Sequence, residues 1–133
     1  MKLQVSRSKT IKELQVEFAT CFPNLKIEFF ASTHKPEEGS FGKLQFPRTM
    51  KLGELSPMLN EGEIAVSPGM RTGHLEQVFH AEFGLNAQVF RNMNGTWIQS
   101  TNSDDLSLLE QNEIAQASIP KKSSLRNVEE RDY

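Results

Sequence analysis

At roughly 100–200 residues per domain, a chain of 133 residues holds one domain. Its 15 Lys and Arg against 17 Asp and Glu leave a net charge of −2, far from the basic footprint of a nucleic-acid binder. One Cys excludes an internal disulfide framework, and no run approaches the roughly 18 apolar residues of a membrane helix. The expectation is a cytoplasmic α+β domain over residues 1–116, with nine Phe to fill its core.

In chain order, Leu3 and Val5 alternate with polar neighbours as a short strand. Thr10 and Glu13 form a capping box, after which Ile11, Leu14, Phe18 and Phe22 recur at helical spacing. Pro23-Asn24 ends that helix, and Leu25, Ile27 and Phe29 alternate as a second strand. Residues 33–61 are polar and turn-rich, a connection with one short helical turn at Leu52 and Leu55. Gly39-Ser40-Phe41-Gly42-Lys43 within it lacks the spacing of a phosphate loop and reads as a mobile loop. Ile64 and Val66 then open a third strand. Thr72 is the expected N-cap of a second long helix, with Leu75, Val78, Phe79 and Phe83 as its stripe and Gly84 as its stop. Asn94-Gly95 between two strand-like runs predicts a type I′ hairpin. Ser103 or Asp104 is expected to cap a last helix carrying Leu106 and Leu109, and residues 117–133 read as a mobile charged tail.

The strongest signal is internal. At an offset of 61, Leu3, Val5, Leu14, Phe18 and Phe22 fall on Ile64, Val66, Leu75, Phe79 and Phe83. After a one-residue deletion, Leu25, Phe29 and Phe30 fall on Leu85, Val89 and Phe90. Two strand–helix–strand copies, about 1–31 and 62–91, predict a ferredoxin-like βαββαβ two-layer sandwich on one shared sheet. The hairpin strand and a C-terminal helix extend it.

A period of two also assigns faces. With Leu3, Val5, Ile27, Phe29, Ile64, Val66, Ala87 and Val89 toward the helices, Glu28, Phe30, Gln88 and Phe90 point outward with Lys2, Gln4, Glu63 and Ala65. Hairpin pairing adds Asn92 and Trp97 to that outer face. The candidate binding residues are therefore Phe30, Phe90, Trp97, Asn92 and Gln88, because three aromatics on a nominally solvated face need a cover. The C-terminal helix, a second copy of the chain, or a ligand would each provide one. Single-stranded nucleic acid is the weakest of these, since Lys2 is the one nearby cation and Glu28 and Glu63 oppose phosphate.

Catalytic and metal signals are thin. Cys21 falls at the apolar end of the first helix, where a buried structural role is expected rather than a nucleophile's. His74 and His80, six residues apart, lie on different helix faces and cannot chelate one metal. Asp104-Asp105 reads as helix-start chemistry, and no Gly-x-Ser-x-Gly elbow occurs. Neither a cofactor nor an enzymatic activity is expected, and a homodimer or a protein partner is.

Glu82-Phe83-Gly84-Leu85 to Gln88-Val89-Phe90-Arg91, followed by Thr101-Asn102-Ser103-Asp104-Asp105 and Leu109-Glu110-Gln111-Asn112, resembles a family of small uncharacterised bacterial proteins. Its members share a Thr-Asp-Asp-Trp-Thr-Leu-like segment ending in Glu-Gln-Asn. This chain has Leu106 and Ser107 in place of the Trp and Thr. The family has no established activity, so the resemblance implies no substrate, cofactor or site residue.

Overall fold

The computed structural model describes residues 1–31, 44–100 and 103–120; the loop at 39–43 and the tail from residue 121 lie outside them. The elements are β1 (Lys2–Val5), α1 (Ile11–Ala19), β2 (Leu25–Phe30), α2 (Leu52–Leu55), β3 (Gly62–Ala65), α3 (Thr72–Phe83), β4 (Asn86–Met93), β5 (Thr96–Gln99) and α4 (Leu108–Ala117). The protein is a mixed α+β fold with four helices and two antiparallel sheets among the described residues.

The strands do not share one sheet. β1 pairs with β3 in a two-stranded sheet, while β2, β4 and β5 form a three-stranded one. β2 lies directly beside β4, whereas a ferredoxin-like order would hold those two strands at opposite edges. Backbone pairing decides this, and apolar alternation reports only which way each side chain points.

The repeat is nevertheless built into the pairing. Leu3 faces Ile64, and Glu28 faces Gln88. Each pair joins equivalent positions of the two copies, so the antiparallel pairing gives a local twofold relation at the centre of each sheet pair. The repeat also reaches further than the 1–31 and 62–91 segments. Ile11 and Lys12 N–H groups donate to Met50 and Arg48 carbonyls, as Thr72 and Gly73 donate to Leu106 and Asp104. In return Leu52 and Gly53 donate to Lys9 and Arg7, as Leu108 and Leu109 donate to Met70 and Pro68. α2 is therefore the first copy's counterpart of α4. Phe46 N–H donates to Phe29 as Ser100 donates to Val89, so residues 44–46 stand where β5 stands in the second copy.

Both sheets turn their apolar faces into one core. Leu3, Val5, Ile64 and Val66 meet Ile27, Phe29, Ala87 and Val89 there, with the α1 and α3 stripes completing it. Phe29 on β2 and Phe79 on α3 pack edge to face at 5.4 Å and 78°, a contact worth about 1 kcal/mol beyond its area.

Local signals hold at several ends. The Thr10–Glu13 capping box forms, Gly84 closes α3 at φ 66°, and Asn94-Gly95 takes positive φ at both turn positions. Three end assignments change. Arg71 is the N-cap of α3, and Thr72 is buried instead, its hydroxyl donating to Leu106 O. Ser107 is the N-cap of α4, in a capping box with Glu110, so Ser103 and Asp104 precede the helix. Cys21 lies beyond the end of α1 and is exposed. Past the end of α1 at Ala19 it is Phe22, not the thiol, that turns inward, packing on Phe18 at 5.2 Å.

Candidate functional site

The outer face of the β2–β4–β5 sheet is built from alternate residues. β2 contributes Lys26, Glu28 and Phe30; Gln88, Phe90 and Asn92 come from β4, and Trp97 and Gln99 from β5. Register sets Lys26 opposite Phe90, Phe90 opposite Gln99, and Asn92 opposite Trp97. The large rings thus converge because the hairpin turn has only two residues and leaves no freedom in register.

The five sequence-predicted residues all lie on this face, but they do different work. Phe30 and Phe90 stack at 6.3 Å and 23°. Trp97 is 38% exposed and is the outermost ring. Asn92 is spent on the turn, its Oδ1 accepting the Gly95 N–H at 2.6 Å. The Gln88 side-chain oxygen accepts from the Gln99 amide at 2.8 Å, linking β4 to β5. Lys2, Gln4, Glu63 and Ala65, expected on the same face, belong to the other sheet and are exposed there.

Lys26, not Lys2, is the cation of this face, and with Glu28 it defines the electrostatics. Lys26 Nζ stands 4.5 Å above the centre of the Trp97 ring and 5.9 Å from that of Phe90. The same ammonium lies 3.0 Å from Glu28 Oε2. Glu28 is 2% exposed, and its Oε1 has no hydrogen-bond partner. The signal for both was in the sequence, since Lys26, Glu28 and Phe30 alternate on one side of a strand.

α4 does not cover the rings. Its Gln111 Oε1 accepts from Arg91 Nη1 at 2.7 Å, and Arg91 shares the core-facing side of β4 with Val89. Leu108 enters the core, Leu109 remains 44% exposed, and Asn112 and Gln116 bond to Asn24. The core side offered α4 a half-buried arginine to satisfy and an apolar slot for Leu108, which the outer face does not.

A second polar cluster lies between α3 and the segment before α4. Glu76 Oε2 accepts the Val89 N–H at 2.8 Å, and burial, with a smaller contribution from the Asp104 charge, pushes its carboxyl up to about 7. Asp104 is itself raised, first by burial and then by the Asp105 charge, and its Oδ1 is buried without a partner. Among the described residues no three His, Cys, Asp or Glu side chains are grouped to hold a metal ion. No helix among them is long and apolar enough to cross a membrane.

Compared with protein-family models, curated proteins and solved structures, the chain matches none.

Proposed function

We propose that this protein is a non-enzymatic interaction domain that engages protein through the outer face of its β2–β4–β5 sheet. A second copy of the chain is the first partner to test. The observation that carries the reading is Trp97, an exposed ring on a face whose nearest charges, Lys26 and Glu28, are already paired. Aromatic surface without free charge is the composition of an interface centre. Nucleic acid is a poorer occupant, because Glu28 offsets the Lys26 ammonium, the lysine that the described residues place on this face. The resemblance to small bacterial proteins adds no activity, and an unpaired cysteine fits action in the cytoplasm.

Native mass spectrometry over a range of concentrations tests self-association. The expected result is a species at twice the 15.1 kDa chain mass, lost in Trp97→Asp while the circular-dichroism spectrum stays unchanged. A monomer at every concentration would remove self-association from this reading.

A further inference from the structure

Glu28 is a buried carboxylate only half satisfied. Oε2 meets the Lys26 ammonium at 3.0 Å, and Oε1 meets nothing. An ionised carboxylate accepts up to about four hydrogen bonds, and a buried oxygen left bare is costly because it has lost its water without gaining a donor. The rings beside it present negative π faces: Phe30 stacked on Phe90, and Trp97 beneath the ammonium. A carboxylate set among aromatic faces suits a cation. Lys26 supplies one as a compact point charge that reaches a single oxygen. A guanidinium carries parallel N–H donors that bond both carboxylate oxygens at once, and its flat surface stacks on a ring.

We propose that Glu28 receives an arginine side chain of a partner polypeptide, and that Lys26 is the chain's own placeholder in that site. The proposal rests on the outer face being the recognition surface, but it does not require self-association. Lys26 can leave without disturbing the sheet. Its backbone is held by pairing with Phe90, while its side chain is a flexible stem already 26% exposed. Trp97 is the exposed ring of this face while Phe30 is buried, so a free guanidine would gain little beyond one stacking contact. An arginine in a polypeptide would bring neighbours to rest on Trp97.

The test uses the full chain with Lys26→Met, titrated with a short peptide containing one arginine and with the same peptide carrying citrulline. Trp97, the single tryptophan, reports binding by its fluorescence. The expected result is arginine-peptide binding at least tenfold tighter than to the unaltered chain, with the citrulline peptide at least tenfold weaker. Adding Glu28→Gln should erase that preference. Equal affinity for the two peptides in Lys26→Met overturns the proposal, and this comparison decides even if the double variant does not fold. Free N-acetyl-arginine amide binding as tightly as the peptide would overturn the polypeptide partner. A strictly monomeric protein that still prefers arginine would remove self-association alone.

Discussion

Gln15 and Glu76 occupy the same position in the two halves of the molecule, yet one is satisfied by a cation and the other faces an acid. Gln15 Nε2 donates to Ile27 O, and its Oε1 accepts from Arg48 Nε, both at 2.8 Å. In the second half Asp104 stands where Arg48 stands, since both sit 56 residues apart at matching backbone bonds. Glu76 therefore has a backbone N–H to accept from but a carboxylate beside it.

This predicts a pH-dependent stability of definite sign. The Glu76 carboxyl titrates near 7 in the folded chain against an ordinary 4.5, so the folded state holds more protons between those values. Stability is then greatest below about 4.5 for this group, falls as pH rises toward 7, and loses nothing further above it. Asp104, raised in the same direction, adds to the slope. A shift of this size corresponds to about 3 kcal/mol at most, and partial solvation reduces it to roughly 2 kcal/mol. Glu76→Gln, which copies the first half's own residue, should flatten the dependence and raise the melting temperature at pH 8. A slope unchanged by the substitution would show that other groups produce it.

Gly53 is needed for close approach rather than for an unusual backbone angle. A Cβ there would stand 2.9 Å from both Arg7 Cβ and Arg7 O, where Gly53 N–H donates to that carbonyl at 3.1 Å. Gly53→Ala should lower stability by roughly 1–3 kcal/mol in urea unfolding. Gly69, with nothing within 4 Å of a built Cβ, is the control, and Gly69→Ala should leave the midpoint near that of the unaltered chain. Equal effects at both sites would mean that the contact with Arg7 carries no cost.

The N-cap of α4 makes a separable prediction. Ser107 Oγ accepts the Glu110 N–H at 3.0 Å, and Glu110 Oε1 accepts the Ser107 N–H at 2.8 Å. Ser107→Ala should cost about 1 kcal/mol. Asp104→Asn should instead stabilise the protein above neutral pH, by removing an acid from the Glu76 cluster. Thermal melts of the two variants at pH 7.5 should therefore move in opposite directions; a loss in both would assign Asp104 a capping role.

How far the sequence could be read depended on the physical range of each signal. Strand alternation placed Leu3, Val5, Ile27, Phe29 and their second-copy counterparts on the buried side, because side-chain direction in a strand is a property of adjacent residues. The capping box at Thr10, the stop at Gly84 and the turn at Asn94-Gly95 were legible for the same reason. The equivalence of α2 with α4 was hidden. The offset between copies changes from 61 to 56 across the hairpin, and few apolar positions, such as Leu52 and Leu108, carry the match.

The candidate site divides in the same way. Phe30, Phe90 and Trp97 on one side of a sheet follow from alternation and a two-residue turn, so the sequence by itself determined that an aromatic face exists. Only the tertiary structure decided that this face stays clear of α4, that Glu28 is sealed with one oxygen bare, and that Lys26 lies over the indole. It also divided the strands between two sheets. Each of these outcomes is a competition among distant partners for the same backbone edge, apolar slot or charge, and the winner depends on geometry that neighbouring residues do not encode.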